Sequence, residues 1–267
     1  MKRVGNIYQR VVHIQNIECA FNEVMKIISV EGIVVSSTPY KESSKILNIF
    51  TKDMGIIGCM SKGCKSLKSK LRLPSEKFAY GVFHMYYKEN GLSTLIDGDI
   101  KDYLINTKSD IIKISYLTYI CELSVNVYKE SENEEIYPLM ISAIKKIEEG
   151  HDPKIITNIL ELQYLSYIGI NLDLDGCVKC GNKKVVTLSM SRGGYICANC
   201  KTNEPIIDEK VIKLMRLYYY VDISKISNLD IDKKVSNTIN TIISEYYDEY
   251  SGVTTKSKRF LREIDSE

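Results

Sequence analysis

No apolar run in these 267 residues reaches the roughly 18 that a helix needs to cross a bilayer. The first 24 residues, Met1 to Val24, carry early basic side chains but lack the apolar stretch of about 7–15 residues that a secretory signal requires. Phosphate-binding G-x-x-x-x-G-K-[ST], dinucleotide-binding G-x-G-x-x-G after a strand, and zinc-hydrolase H-E-x-x-H are all missing. Histidine is scarce: His13, His84 and His151 lie in unrelated places, and His84, inside an expected strand, reads as a structural residue. Asp97 and Asp99 flank Gly98 and read as turn residues, not as a chelating pair. Repeats and low-complexity segments are lacking too. With no constellation for bond-breaking chemistry, the expectation is a protein that is not an enzyme. Charge of one sign is also in short supply: 36 basic against 34 acidic residues leave a net +2, too little to name a partner.

Cysteine is a different matter. Cys177, Cys180, Cys197 and Cys200 read C-x2-C, sixteen intervening residues, then C-x2-C. Each pair supplies two thiolates from one tight turn, and the segment between can fold back as a short hairpin, so the spacing predicts a four-thiolate zinc site. Gly176, Gly181, Gly193 and Gly194 stand where knuckles and hairpins demand unusual backbone angles. Four thiolates fill the coordination shell and leave no position for a catalytic water, so this zinc is expected to be structural. The remaining cysteines, Cys19, Cys59, Cys64 and Cys121, show no framework spacing. Free thiols beside a zinc site fit a reducing cytoplasm.

The charge is unevenly placed. Met54 to Ser75 contains no acid, while Lys62, Lys65, Lys68, Lys70 and Arg72 fall within eleven positions. Near the C-terminus Lys256, Lys258, Arg259 and Arg262 cluster within seven. Such stretches can hold a polyanion on one face; solvated loops would look the same.

Residues 27–101 read as β structure. Ile27 to Val35 is rich in Ile and Val, with Gly32 marking a bulge or bend, and Thr38-Pro39-Tyr40 reads as a turn. Lys45 to Thr51 and Ile56 to Met60 follow, joined through Asp53-Met54-Gly55. Phe78 to Tyr87 and Leu92 to Ile100 flank Glu89-Asn90-Gly91, a strong hairpin signal. Five short strands with Gly-rich corners suggest a small barrel such as an OB-fold, with a sandwich fragment as the alternative. The basic segment leaves the third strand, beside the face on which such barrels bind single strands, and Tyr80, Phe83, Tyr86 and Tyr87 are nearby candidates for stacking on bases.

Beyond Asp102 the periodicity becomes helical. Ile111, Ile114, Leu117, Ile120 and Leu123 form an apolar stripe; further helices are expected at Ile136–Glu149, from Asp152-Pro153 towards Gly169, at Asp208–Val221, and at Asp232–Tyr250 before Gly252. The fold class expected is therefore α+β: an N-terminal OB-fold barrel over residues 25–102, then a helical domain over 103–267 carrying the zinc module at about 175–203, with 1–24 as an unassigned extension.

At this point the chain resembles the RecO family of bacterial recombination mediators. The resemblance rests on Glu31-Gly32-Ile33-Val34-Val35, Tyr40 through Leu47, Phe50-Thr51, Gly55 through Gly63 with the basic loop, the four-cysteine module, and Ser257-Lys258-Arg259-Phe260-Leu261. It covers about residue 25 to 262, and the order of parts is more distinctive than any single motif; 24 residues precede Met25, more than members usually carry. It implies binding of single- and double-stranded DNA, annealing of complementary strands, partnership with RecR, and contact with the C-terminal tail of single-strand-binding protein so that RecA can load. It places Lys62, Lys65, Lys68, Lys70 and Arg72 in a DNA-contacting loop, and Lys256, Lys258 and Arg259 in a basic C-terminal region. It also implies a cytoplasmic, nucleoid-associated protein. The rival reading is a zinc-ribbon transcription or translation factor; a nucleic-acid-processing enzyme part is the remoter one.

Overall fold

The computed structural model describes residues 26–227 and 229–264. His13, Cys19 and the expected extension 1–24 lie outside them. Five strands, β1 (Lys26–Tyr40), β2 (Ser44–Thr51), β3 (Gly55–Ser61), β4 (Tyr80–Tyr87) and β5 (Ser93–Asp102), close into a barrel in the order β1-β2-β3-β5-β4. Closure depends on the length of β1. Its first half, Lys26 to Ile33, pairs with β4, and Gly32 to Tyr40 pairs with β2. The bend expected at Gly32 falls instead between Val34 and Ser36, where the register shifts. Gly32 answers to crowding: a Cβ there would sit 2.8 Å from the Phe50 carbonyl oxygen. Thr38-Pro39-Tyr40 is not a turn but the end of β1, paired with Ile46, Lys45 and Ser44; the chain reverses at Lys41, whose φ is +51°. Asp97 and Asp99 likewise belong to β5, opposite His84 and Val82, because Gly98 packs directly against Pro74 instead of reversing the chain.

Alternation fills the barrel. Val30, Val34, Leu47, Ile49, Ile57, Cys59, Phe83, Met85 and Leu95 point inward and make one core. The outward residues Ile33 and Phe50 are equally buried, because the helices cover that side of β1 and β2. Phe50 stacks at 4.9 Å on Tyr128 and at 5.5 Å on Tyr137, geometries typical of tilted and edge-on aromatic pairs.

The helices are α1 (Ile105–Lys108), α2 (Ile111–Ser131), α3 (Ile136–Glu148), α4 (Pro153–Tyr167), α5 (Glu209–Tyr220), α6 (Lys233–Tyr246) and α7 (Lys256–Ile264). Aspartates at 110, 152, 208 and 232 accept hydrogen bonds from the amides of the turns that follow, capping α2, α4, α5 and α6. The last long helix is shorter than expected: α6 stops at Tyr246 and a π-turn, Tyr247–Ser251, leads to Gly252 with φ +64°. The basic tail is a helix in its own right, α7. Its first turn is held by Glu122 of α2, which accepts from the Lys256 and Ser257 amides at 2.9 and 3.0 Å. Between α4 and α5 lies a hairpin, β6 (Thr187–Ser189) and β7 (Gly194–Ile196).

α4 runs through the middle, buried at every position from Ile155 to Leu165. That stretch includes Glu161, which is 0% exposed. Its Oε1 accepts from the Lys258 ammonium at 2.5 Å and from the Tyr119 hydroxyl, and the ammonium also lies 4.8 Å from the Tyr119 ring centre. A carboxylate taken so far from water depends on its cation. Lys258→Met should cost about 3–5 kcal/mol, lowering Tm by roughly 10 °C, because it strands the charge in the core. Adding Glu161→Gln, which keeps an acceptor for Tyr119, should recover most of the loss in a thermal melt; an unshifted Tm for Lys258→Met would refute the pairing.

Candidate nucleic-acid interface and metal centre

The segment joining β3 to β4 contains the basic run, and its backbone is a chain of turns. The amides of Ser66, Ser69 and Arg72 donate to the carbonyls of Gly63, Ser66 and Ser69 at 3.1–3.3 Å, and the Lys65 amide donates to Ser43 at 3.0 Å. Gly63 supplies the positive φ (+66°) with which the run begins. Two side chains pin it to the barrel: Cys64 and Leu71 are buried in the barrel core. A third anchor is Ser75, whose hydroxyl donates to Ser61 Oγ at 2.7 Å and whose carbonyl accepts from Ser37. With Cys64 and Leu71 turned in, the cations turn out. Lys62, Lys65, Lys68, Lys70 and Arg72 are all exposed.

They are not equally free. Lys65 donates to the Lys41 carbonyl at 3.0 Å, and Lys70 pairs with Asp97 at 2.6 Å. That ammonium holds the Asp97 carboxyl below the usual carboxylate range. Lys62, Lys68 and Arg72 have no ion-pair partner among the described residues. Of the four aromatic candidates, Phe83 and Tyr80 are buried; the Tyr80 hydroxyl donates to Glu31 at 2.7 Å. Those two are withdrawn from any contact with bases. Tyr86 is exposed and Tyr87 half-buried. His84 is bonded on both sides, Nδ1 to Ser29 Oγ at 2.7 Å and Nε2 to Asp99 at 3.0 Å.

On α7, Lys256 and Arg259 are exposed, but Lys258 is not available. It is the ion-pair partner of Glu161, its side chain only 15% exposed, and so it is removed from the candidate DNA surface. Helical geometry decides this: Lys258 and the buried Leu261 are three apart and share the inward face. Two cations that the sequence reading passed over, Lys77 and Lys108, line one cleft with Ser257 and Phe260 of α7.

The four cysteines of the C-x2-C pairs come together, their Sγ atoms all within 4.8 Å of one another, and Cys180 and Cys197 are 3.6 Å apart. A tetrahedron with metal–sulfur bonds near 2.3 Å has S–S edges of about 3.8 Å, so the quartet fits one metal ion. Each pair is a knuckle. Cys180 and Gly181 amides donate to the Cys177 carbonyl, and those of Cys200 and Lys201 to the Cys197 carbonyl, at 2.7–3.2 Å. Of the four glycines, Gly181 (φ +73°) and Gly193 (φ +67°) have the unusual angles expected. Gly176 and Gly194 do not; Gly194 is needed because a Cβ would come within 2.4 Å of the Asp173 carbonyl oxygen. Amide donation, chiefly from Cys197, holds the Cys177 thiol down to about 6, while hydrogen bonding with Cys180 and burial push Cys200 up to about 12. Protons are shared because four adjacent thiolates repel; a divalent cation removes that conflict. The module is fixed to α5 by the buried Tyr195 hydroxyl, which donates to the Ile212 carbonyl at 2.5 Å, and by Arg216 on Asp175 at 2.7 Å.

Comparison with known proteins agrees with this arrangement. The profile described as recombination protein O N terminal matches residues 25–104, and that described as recombination protein O C terminal matches 108–259. The DNA repair protein RecO of Halalkalibacterium halodurans is 35% identical over 241 residues, 88% of this chain and 94% of the relative. The protein of the same name from Listeria monocytogenes is 35% identical over 240 residues, with the same coverage, and that from Bacillus pumilus is 33% identical over 245. No helix among the described residues is long and apolar enough to cross a membrane. Matched by both family profiles and similar to these relatives over nearly nine-tenths of its length, the chain belongs to the RecO family of DNA repair proteins.

Proposed function

We propose that this protein is a non-enzymatic recombination mediator whose barrel, an OB-fold occupying residues 25–102, grips sugar–phosphate chains with its basic loop. The observation that carries the proposal is the placement of Lys62, Lys65, Lys68, Lys70 and Arg72 on a braced set of turns, with three of the five unpaired among the described residues. A braced backbone limits the chain entropy lost when these cations meet phosphates, and counterion release then drives binding without regard to sequence. Exposed Lys256 and Arg259 of α7 extend the positive surface. Annealing follows from the same physics, since neutralising two backbones lowers their repulsion and lets base pairing proceed. The helical domain, 103–267, would dock RecR and the C-terminal tail of single-strand-binding protein, so that RecA can occupy the freed strand; the place of action is then the nucleoid in the cytoplasm. Both single- and double-stranded DNA are ligands under this reading. Zinc held by Cys177, Cys180, Cys197 and Cys200 would have a folding role only, since four thiolates leave no open coordination position. Family membership disfavours the zinc-ribbon transcription or translation factor.

Two outcomes test this. Replacing Lys62, Lys68 and Arg72 by Ala should weaken single-strand binding and annealing and make the slope of log affinity against log salt shallower by about 2, at roughly 0.7 per lost phosphate contact. A slope that does not move would take the loop out of the interface. Elemental analysis of the purified chain should find stoichiometric zinc, and Cys197→Ser should lose it together with a large drop in Tm, structural zinc being worth on the order of 10 kcal/mol in small modules. A melt and metal content identical to the parent would remove the metal centre.

A further inference from the structure

Phe260 is an apolar side chain in an odd position. α7 is a strongly polar helix that buries Leu261 at 3% exposure, yet Phe260 beside it remains 51% exposed. Its ring forms one wall of a cleft of about 470 Å³, a size within the roughly 300–1,000 Å³ of small-ligand sites. Opposite stand Lys77 and Phe78, where the basic loop runs back into the barrel, with Lys108 at the end of α1 and Ile114 of α2. The cleft thus lies between α7 and the short segment that follows the basic loop, and its own cations are Lys77 and Lys108.

We propose that this cleft is a single-strand DNA subsite, in which one unstacked nucleobase lies on the Phe260 ring and Lys77 and Lys108 engage the flanking phosphates. Charge decides for a polyanion. Neither of these cations has an ion-pair partner among the described residues, and the carboxylate that lines the cleft, Glu76, is taken by Lys45 at 3.0 Å. Lys77 leans over the Phe78 ring at 4.5 Å, which aims its ammonium along the cleft wall. Burial pushes Lys108 below the ordinary lysine value, only partly opposed by Asp102, Glu76 and Glu148, and a phosphate oxygen alongside would oppose it further. The aromatic supplies what phosphates do not, a flat face that any base can cover and that a duplex, its bases already stacked, cannot use. Placed between the loop and α7, the subsite lets one strand run from the barrel onto the helix.

This inference rests on the DNA-binding reading above, and its test separates the two. The chain has no tryptophan, so Phe260→Trp gives a single reporter at the cleft. Oligothymidylate should quench its emission over the same concentration range as binding measured independently by anisotropy, and a duplex of equal length should quench it little. Phe260→Ala should weaken oligothymidylate binding about tenfold and leave duplex affinity unchanged, with Phe260→Tyr restoring it. Lys77→Met with Lys108→Met should make the salt slope shallower by about 1.4. Circular dichroism melts check that each variant is folded, as expected for exposed Phe260 and Lys77 and for half-buried Lys108. If the Lys62, Lys68 and Arg72 variant loses DNA while the Phe260 and Lys77/Lys108 variants keep it, the subsite is refuted and the mediator reading stands. If the parent chain binds no DNA, both fall. Quenching by an acidic, apolar peptide that oligothymidylate does not displace would overturn the subsite in favour of a protein partner.

Discussion

Phe50 and Ile49 are adjacent on β2 and both are 0% exposed. Successive residues of a strand face opposite ways, so this corner of the barrel is buried on both sides. Inside, Ile49 joins the barrel core; outside, Phe50 meets Tyr128 and Tyr137. That aromatic seam continues the helical core onto the barrel through Ile33, Phe78 and Tyr80. Non-directional burial of this kind sets one relative placement of two layers, and charged surfaces are arranged around it. Gly55, whose Cβ would strike the Tyr128 hydroxyl, keeps the approach close.

From that seam follows the location of positive charge. The basic run leaves β3, is tied down by Cys64, Leu71 and Ser75, and re-enters the barrel wall at Tyr80. α7 returns from the far end of the chain and packs on α2, capped by Glu122 and locked by Lys258 on Glu161. One lysine of the tail is therefore used up in holding the others in position. The division has a simple energetic basis: a buried carboxylate demands a cation, whereas exposed lysines cost little to leave unpaired. A charged residue's sign says nothing about which of these roles it has.

The metal module obeys a different economy. Its hairpin of two three-residue strands has little apolar surface, and its own core is only Cys177, Ile196 and Cys197, beside the four converging thiols. Tyr195 and Arg216 then attach it to α5. Pinned there, it forms the connection between α4, which carries Glu161, and α5.

Much of this was legible in the residues. The two C-x2-C pairs, the Asp152 cap, and Asn-Gly between β4 and β5 were read correctly because each is decided within a few residues by hydrogen bonding and steric fit. Pro39 and the Asp97–Asp99 stretch misled for the converse reason: turn-forming residue types were overruled by pairing with distant strands and by Pro74 packed on Gly98. Local chemistry, then, settled the knuckles, most of the strands and helices, and where positive charge is concentrated. Only the tertiary structure decided that Lys258 turns inward while Lys256 and Arg259 face water, that Tyr80 and Phe83 are core, and that Phe260 shares a cleft with Lys77 and Lys108. Those outcomes depend on which face of an element is buried against a partner far away in sequence, and no short window of residues contains that partner.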